Sequence, residues 1–459
     1  MKEIIKEGLI EIVGKENYTD QIIDLVSYSY DASEYRSRPE CAVWAESTDQ
    51  ISWILRLADK NRTPIVPRGA GTGLAGLSVP VKGGILLDLS RMDQIIRVSI
   101  PDRLSVVQPG VVYADLQEAL ASDGFFYPPD PASGKVCTLG GNVATNAGGL
   151  RGAKYGTTRD YVLALEVVLA DGEVMRIGSQ TMKCSSGYDL TRLFVGSEGT
   201  LGVVTEITLK ISPKPTEVAT AVAAFDRLEG AGEAVTLIMQ SGVTPSVLEL
   251  IDANTISVVR KHTDLQLPEV EAILLAEIDG NTQVGIKYQM EGLIAMFNRC
   301  NARNIETAYS AADAEHLWLA RKSLGGLVGS LSKNLASEDV TVPMGRIAEF
   351  LRKVEAISKK HNLLILNFGH AGTGNFHPNI LYDRSDSGQV NRLDQVLLEL
   401  HELACKLGGT LTGEHGIGIT KARFMTIEHD PAAMRVMRAL KKTLDPNNIL
   451  NPGKMDLDK

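Results

Sequence analysis

The chain has 459 residues, of which 44% are hydrophobic and 22% are charged, a composition typical of a soluble globular protein with two or three domains. Its net charge of −9 argues against a nucleic-acid-binding face and against a strongly basic membrane-binding patch. Charges interrupt the N-terminus (MKEIIKEG) too often for a secretory signal, and no run approaches the roughly 18 to 20 apolar residues of a membrane span.

The five cysteines are scattered along the chain and have no CxxC spacing. This distribution indicates reduced structural thiols rather than disulfides, a zinc finger or an iron–sulfur cluster. Because the sequence has neither a secretion signal nor a transmembrane segment, we predict a cytoplasmic protein.

The N-terminal region has mainly helical patterns, with an extended piece around residues 42–45. Residues 49–58 place apolar side chains at helical spacing, and Thr48 or Asp49 is the predicted N-cap.

From Ile65 to Leu209 short β-branched runs alternate with glycine-rich turns. Asp171-Gly172 is a strong hairpin signal, and one clear helix is predicted from Tyr113 to Ser122. The pattern is α+β, because helices and strands do not alternate regularly.

Three segments of this region are rich in glycine and small polar residues: residues 67–76, 128–149 and 196–204. Glycines that follow a strand let backbone N–H groups crowd around a phosphate. Residues 71–76 satisfy the pattern GxGxxG, but loop and strand follow them instead of the helix that a Rossmann fingerprint requires. One such loop would be an ordinary tight turn, whereas three together favour a large nucleotide ligand.

Beyond a boundary at residues 213–215, two further segments concentrate polar chemistry: residues 370–377 (HAGTGNFH) and 413–416 (GEHG). They hold three imidazoles and one carboxylate in a chain with only eight histidines. Two histidines and a glutamate suffice to hold a divalent metal with an open position, and the third imidazole is then available as a base. Two alternatives stay open: histidines that contact substrate directly, and a structural, hydrogen-bonded histidine.

The two histidines of residues 370–377 lie between two predicted strands, residues 363–368 and 376–381. On one continuous strand, residues seven positions apart would face opposite sides of the sheet. A bend at residues 371–374 would instead bring both imidazoles to one end of a hairpin.

The glycine-rich segments, together with residues 154–156 (KYG) and 187–190 (GYDL), resemble the FAD-linked oxidases of the vanillyl-alcohol oxidase type. The motifs HAGTGNFH and GEHGIG are similar to those of its D-2-hydroxyacid dehydrogenase branch: glycolate oxidase catalytic subunits, D-lactate dehydrogenases and D-2-hydroxyglutarate dehydrogenases. The resemblance extends from about Asp31 to Pro452.

The resemblance implies an α+β fold with a two-part FAD-binding domain, residues 1–211 and 412–459, around an α+β cap or substrate domain, residues 212–411. The first glycine-rich loop has no histidine, which implies that FAD is bound non-covalently. The cofactor-binding residues carried over from the family are Arg68, Gly69, Gly71, Thr72, Gly73, Leu74, Pro129, Ser133, Gly141, Asn142, Thr145, Asn146, Gly148, Gly202 and Val204.

The resemblance also assigns the catalytic groups. His415 is the predicted general base for the substrate hydroxyl. Arg321 is the predicted partner of the substrate carboxylate, since a guanidinium binds a carboxylate bidentately, and Asn375 is a further contact. The predicted metal ligands are His370, His377 and Glu414, for Zn²⁺, Fe²⁺ or Mn²⁺.

Relatives that oxidise longer diacids carry a lysine where this chain has Ser337, which favours a small 2-hydroxy acid. The predicted function is therefore an FAD-dependent dehydrogenase acting on D-lactate, with glycolate oxidation as the alternative. Electrons would leave through an electron-transferring flavoprotein, an iron–sulfur subunit or a quinone, with O₂ kept as an alternative acceptor. A non-catalytic relay subunit and an alcohol or sugar oxidase are competing interpretations, and a homodimer is among the assemblies left open.

Overall fold

The computed structural model describes residues 2–458. Its strands, β1 to β19 in chain order, are Tyr18–Thr19, Cys41–Trp44, Ile65–Arg68, Ile85–Asp88, Ile95–Ser99, Leu104–Val107, Phe125–Phe126, Val162–Val168, Val174–Gly178, Val203–Lys210, Ser212–Pro213, Glu217–Phe225, Val247–Asp252, Ala272–Gly280, Arg303–Ala308, Asn334–Ser337, Val340–Thr341, Ile365–His370 and Asn375–Tyr382. Its α-helices, α1 to α15, are Glu3–Val13, Ile22–Ser27, Thr48–Asn61, Tyr113–Ala121, Leu139–Thr145, Gly152–Tyr155, Leu190–Phe194, Leu228–Gln240, Ala253–His262, Gln283–Arg299, Ala311–Leu331, Ile347–His361, Ser387–Lys406, Met425–Glu428 and Pro431–Leu444.

The chain forms two compact units. The first unit comprises the chain up to Gly148, the segment Thr157–Lys214 and the chain from Glu414 onward. The second unit comprises Gly149–Gly156 and Pro215–Gly413. The α+β class predicted from the sequence is confirmed, because both units combine helices with sheets that are wholly or partly antiparallel.

The first unit contains a four-stranded sheet of order β1-β2-β4-β3 and a five-stranded antiparallel sheet of order β5-β6-β10-β8-β9. Strand β3 pairs with β4 in parallel, and the described residues 69–84 between them form no helix. The rejection of a Rossmann fingerprint is therefore confirmed. The hairpin predicted at Asp171-Gly172 joins β8 to β9, and Gly172 has the positive φ of 80° that such a turn needs.

Helix α3 begins one residue before its predicted start. Its N-cap is Ser47, whose hydroxyl accepts a hydrogen bond from the N–H of Gln50, whereas Thr48 and Asp49 lie inside the first turn. Both were reasonable caps by residue type, but only Ser47 has the extended backbone, with φ of −151°, that an N-cap adopts.

The second unit is built on a sheet of order β15-β12-β14-β13-β18-β19-β16, with β17 also paired to β19. Alternate residues of a strand enter two different hydrophobic cores: Leu250 joins the core under α8, α10, α12 and α13, and Ile251 joins the core under α9 and α11. This alternation follows from the two-residue period of a strand. Glu249 lies two residues before Ile251 and therefore faces the same side of the sheet, toward α9 and α11.

The hairpin predicted around residues 371–374 is confirmed. Strands β18 and β19 pair antiparallel, with His370 opposite Asn375 and Phe368 opposite His377. His370, Asn375 and His377 therefore project from one face of the hairpin, since diagonal neighbours on paired strands share a face.

Among residues 2–458, none of the helices combines the length and the apolar character needed to cross a membrane. All five cysteines are unbridged, as their spacing predicts.

Candidate active site

The first unit contains an open cleft, and all three glycine-rich segments contribute to its lining. Its wall combines the loop after β3, the segment around α5 and the turn before β10.

The loop after β3 presents unpaired backbone donors to this cleft. Within residues 2–458, none of the N–H groups from Ala70 to Leu74 donates a hydrogen bond to another protein group. Successive N–H groups in such a loop form a concave site for a phosphate. Gly71 makes the loop shape possible, because its φ is +69° and a Cβ there would overlap the Arg68 guanidinium. The residues of this loop therefore fit a flavin pyrophosphate.

The predicted cofactor residues line the cleft except for two. Asn146 ends α5 in the left-handed conformation, and its Oδ1 accepts hydrogen bonds from the Thr157 hydroxyl (3.0 Å) and the Arg159 N–H (2.9 Å). Pro129 also lies outside the lining. The predicted residues that do line the cleft are Arg68, Gly69, Gly71, Thr72, Gly73, Leu74, Ser133, Gly141, Asn142, Thr145, Gly148, Gly202 and Val204.

Glu414 and His415 also line this cleft. A Cβ placed on Gly148 would lie 2.8 Å from Glu414 Oε2, so the carboxylate approaches the second glycine-rich segment closely. The imidazole predicted to act as a base is thus part of the same cleft as the predicted cofactor residues.

Glu198 is a residue of this cleft that the sequence reasoning missed. Its carboxylate accepts hydrogen bonds from the N–H groups of Ile417 (2.6 Å) and Gly418 (2.8 Å), which follow His415 in the chain. Burial raises the pKa of the Glu198 carboxyl to about 7, against the opposing effect of the two N–H donors. In the sequence, the only sign of this role was a carboxylate between the two glycines of the turn at residues 196–199, where it could bind backbone N–H groups.

In the second unit, the rings of His370 and His377 meet at the end of the β18–β19 hairpin. Their Nε2 atoms are 3.5 Å apart, and both side chains are buried. The other ring nitrogen faces a carboxylate in each case: His370 Nδ1 lies 2.5 Å from Glu249 and His377 Nδ1 lies 3.8 Å from Asp339. Converging Nε2 atoms, with a carboxylate within hydrogen-bond distance of the His370 Nδ1, are characteristic of metal-ligating histidines, so the pair fits a divalent ion.

Arg321, on α11, donates its Nε–H to Glu249 Oε2 at 2.6 Å, and its guanidinium lies over the Phe368 ring. No described residue accepts a hydrogen bond from its Nη1 or Nη2. Burial alone would raise the pKa of the Glu249 carboxyl, but His370 and Arg321 outweigh it and hold the pKa well below its usual range. The guanidinium is therefore fixed on one edge and has donors left for an anion.

Asn375 is held by two hydrogen bonds. Its Nδ2 donates to Asp339 Oδ1 (2.6 Å) and to the Val340 carbonyl (3.2 Å). Asp339 Oδ2 in turn accepts from the Thr412 hydroxyl (2.5 Å) and the Gly413 N–H (2.9 Å). The fully buried Asp339 thereby fixes the backbone immediately before Glu414, a role that no sequence motif indicated.

The sequence matches two families of known proteins. The family described as "FAD binding domain" matches residues 39–178, and "FAD linked oxidases, C-terminal domain" matches residues 214–455.

Individual relatives agree with this assignment. The chain is 42% identical over 453 residues to the glycolate oxidase subunit GlcD of Bacillus subtilis (strain 168), covering 98% of this chain and 96% of that protein. It is 35% identical over 428 residues to D-lactate dehydrogenase of Anaerostipes hadrus, covering 92% and 90% of the two chains. The fold of p-cresol methylhydroxylase, solved with substrate bound, matches with a TM-score of 0.83 at 19% identity over 99% of this chain and 97% of that chain.

These matches confirm the predicted vanillyl-alcohol oxidase type of fold and FAD as the cofactor. The chain belongs to the FAD-linked oxidases, as an FAD-dependent oxidoreductase of the group formed by the glycolate oxidase GlcD subunits and the D-lactate dehydrogenases.

Proposed function

We propose that this protein oxidises a small D-2-hydroxy acid, D-lactate, to the 2-oxo acid. The observation that carries the proposal is the buried pair of His370 and His377, with Nε2 atoms 3.5 Å apart and carboxylates behind both rings. An alcohol or sugar oxidase on this fold would need neither that pair nor the adjacent arginine.

The cofactor residues proposed are those named from the sequence, with the loop from Arg68 to Leu74 holding the pyrophosphate of non-covalent FAD. Bound FAD supplies the acceptor for the substrate hydride, at flavin N5. The protein's own tasks are to hold the acid, orient its C–H bond and remove its hydroxyl proton.

His415 is the proposed base for the hydroxyl proton. An imidazole suits this task because it exchanges protons readily near neutral pH. Its place in the wall of the cleft, next to Glu414, supports the role. The Glu198 carboxylate contributes by holding the backbone that follows His415.

His370, His377 and Glu414 are the proposed ligands of a divalent metal, Zn²⁺, Fe²⁺ or Mn²⁺. In the tautomer whose Nδ1–H donates to Glu249, His370 carries its lone pair on Nε2, the atom proposed to bind the metal. Such an ion would lower the pKa of a bound substrate hydroxyl.

Arg321 is the proposed partner of the substrate carboxylate, through the Nη1 and Nη2 donors that no described residue uses. Asn375 is the proposed further contact. Because its Nδ2 donates to Asp339 and Val340, the atom it offers to a substrate is Oδ1.

Glycolate is the second candidate substrate, and the name of the Bacillus subtilis relative favours it. Ser337, in the position where relatives acting on diacids carry lysine, supports a small acid over a dicarboxylate.

We further propose that electrons leave through a partner protein, an electron-transferring flavoprotein or an iron–sulfur subunit, since relatives are named as subunits. The unbridged cysteines support a reducing compartment, the cytoplasm.

The direct test is to mix the protein anaerobically with D-lactate, L-lactate, glycolate or D-2-hydroxyglutarate, each separately. We expect D-lactate to bleach the flavin absorbance near ~450 nm, which reports arrival of the hydride. Faster bleaching by glycolate would assign the second candidate. Bleaching by D-2-hydroxyglutarate alone, or by none of the acids, would overturn the proposal.

Gly71→Ala is expected to weaken FAD binding at least ~10-fold, because a left-handed alanine costs roughly 1–2 kcal/mol and its Cβ would displace the Arg68 guanidinium. That guanidinium is tied to the Tyr30 carbonyl at 2.7 Å and cannot move aside without losing this bond. The measurement is a fluorescence titration of the flavin-free protein with FAD.

Gly124→Ala is the matched control for this variant. Gly124 also has a positive φ, of 71°, but a Cβ there would meet nothing within 4 Å and the residue lies outside the cleft. Equal FAD affinities for the two variants would show that the loop around Gly71 does not hold the cofactor.

A further inference from the structure

Two groups with separate proposed tasks meet on one buried carboxylate of the second unit. Glu249 lies on β13 with a side chain that is 0% exposed. Its Oε1 is 2.5 Å from His370 Nδ1, and its Oε2 is 2.6 Å from Arg321 Nε. Each carboxylate oxygen thus serves one partner, a proposed metal ligand on one side and the proposed substrate arginine on the other.

Two strands and one helix, β13, β18 and α11, determine this arrangement. Strand β13 pairs antiparallel with β18, and the register places Glu249 directly opposite His370. Helix α11 covers the same face of the sheet and carries Arg321 over the Phe368 ring. An ionised carboxylate without solvent exposure needs both partners, because a buried charge that loses a partner is strongly destabilised.

We propose that Glu249 is a positioning residue that couples metal binding to substrate binding. It orients the His370 ring so that Nε2 faces the metal, and it turns the Arg321 guanidinium so that the Nη donors face the acid. Loss of this carboxylate therefore weakens both ligands together. This inference rests on the proposed function and extends it to a residue that touches neither ligand.

Glu249→Gln tests the coupling with almost no change of volume. The amide has one acceptor oxygen in place of two, so its NH₂ group must face either Arg321 Nε–H or His370 Nδ1. The partner that stays on the amide oxygen loses the negative charge of its acceptor, so both interactions are weakened. Against Arg321, two donors would oppose each other. Against His370, the amide would favour the tautomer with a hydrogen on Nε2, which blocks metal ligation.

Two measurements follow, and the first of them does not depend on the reaction. The first is calorimetric titration of the chelator-treated, flavin-loaded protein with Zn²⁺ alone. The second is the concentration of D-lactate or glycolate that half-saturates anaerobic flavin bleaching in the Zn²⁺-loaded protein. We expect Glu249→Gln to raise the Zn²⁺ dissociation constant at least ~10-fold, as for other partners of metal-ligating histidines. We expect the half-saturating acid concentration to rise by at least a similar ~10-fold, since a misdirected guanidinium loses a charge-assisted hydrogen bond.

Asp252→Asn is the matched control. Asp252 lies on the same strand, is also buried, and accepts hydrogen bonds from Thr255 and Asn367 rather than from His370 or Arg321. It should leave both constants near their wild-type values. Glu249→Asp is the second test variant: it keeps the charge and should fold, but the shorter side chain reaches only one partner, so at least one constant should rise.

The outcomes separate the inference from the proposed function. If the wild-type protein binds Zn²⁺ and is bleached by an acid while Glu249→Gln matches it in both constants, the coupling is refuted and the proposed function stands. A Glu249→Gln variant that changes only one constant would also refute the coupling. If the wild-type protein neither binds Zn²⁺ nor is bleached by any acid, the proposed function fails first.

Discussion

Replacing His415 by alanine is expected to lower turnover at least ~100-fold while FAD stays bound, because removal of a general base typically costs that much or more. His415 lines the cleft, whereas the cofactor residues proposed for the pyrophosphate lie in the loop from Arg68 to Leu74. The variant should therefore keep its flavin absorbance and its FAD affinity. The measurement is the rate of flavin bleaching after rapid anaerobic mixing with the acid.

His429→Ala is the control for this change. His429 is also partly buried and also belongs to the C-terminal part of the first unit, but its ring lies near Glu428 and outside the cleft. It should bleach at the wild-type rate. Added imidazole should restore part of the rate in His415→Ala only, since the space left by the ring can admit the free base. A His415→Ala variant with near wild-type bleaching would remove this residue from the mechanism.

The motifs predicted the parts of the site that local sequence determines. The bend at residues 371–374 placed His370 and His377 correctly at one end of a hairpin, because glycines allow a turn there and strands flank it. The absence of a helix after residues 71–76 could likewise be predicted from the residues that follow. Both predictions depend on neighbours within about ten residues.

The supporting carboxylates could not be predicted in this way. Glu249 is separated by 121 residues from His370, and Glu198 by 219 residues from Ile417, so only the sheet order and loop packing bring them together. Each also sits in a sequence that suggests another role: Glu249 is part of an apolar strand, and Glu198 is part of a glycine turn. The assignment of Gly149–Gly156 to the second unit was missed for the same reason, since Lys154 and Tyr155 bind Asp279, which is distant in sequence.

The histidine pair leads to the other large expected effect. His370→Ala or His377→Ala should raise the Zn²⁺ dissociation constant at least ~100-fold and lower turnover on the order of 10³-fold, because a bound metal supplies several kcal/mol of charge stabilisation. Each variant removes one of the two Nε2 atoms that now lie 3.5 Å apart. Calorimetric titration with Zn²⁺ and the bleaching rate measure the two effects separately.

His361→Ala separates these effects from the general cost of deleting a buried histidine. His361 is buried to a similar degree, 6% exposed against 6% for His370 and 7% for His377, and its Nε2 lies 2.9 Å from Glu399 instead of near another imidazole. It should bind Zn²⁺ and turn over as the wild type does. If the hairpin variants lose turnover but keep wild-type Zn²⁺ binding, the two histidines contact the acid directly and the metal proposal is wrong. If they lose both while His361→Ala loses neither, the convergence of the two Nε2 atoms is the metal site and the source of the rate.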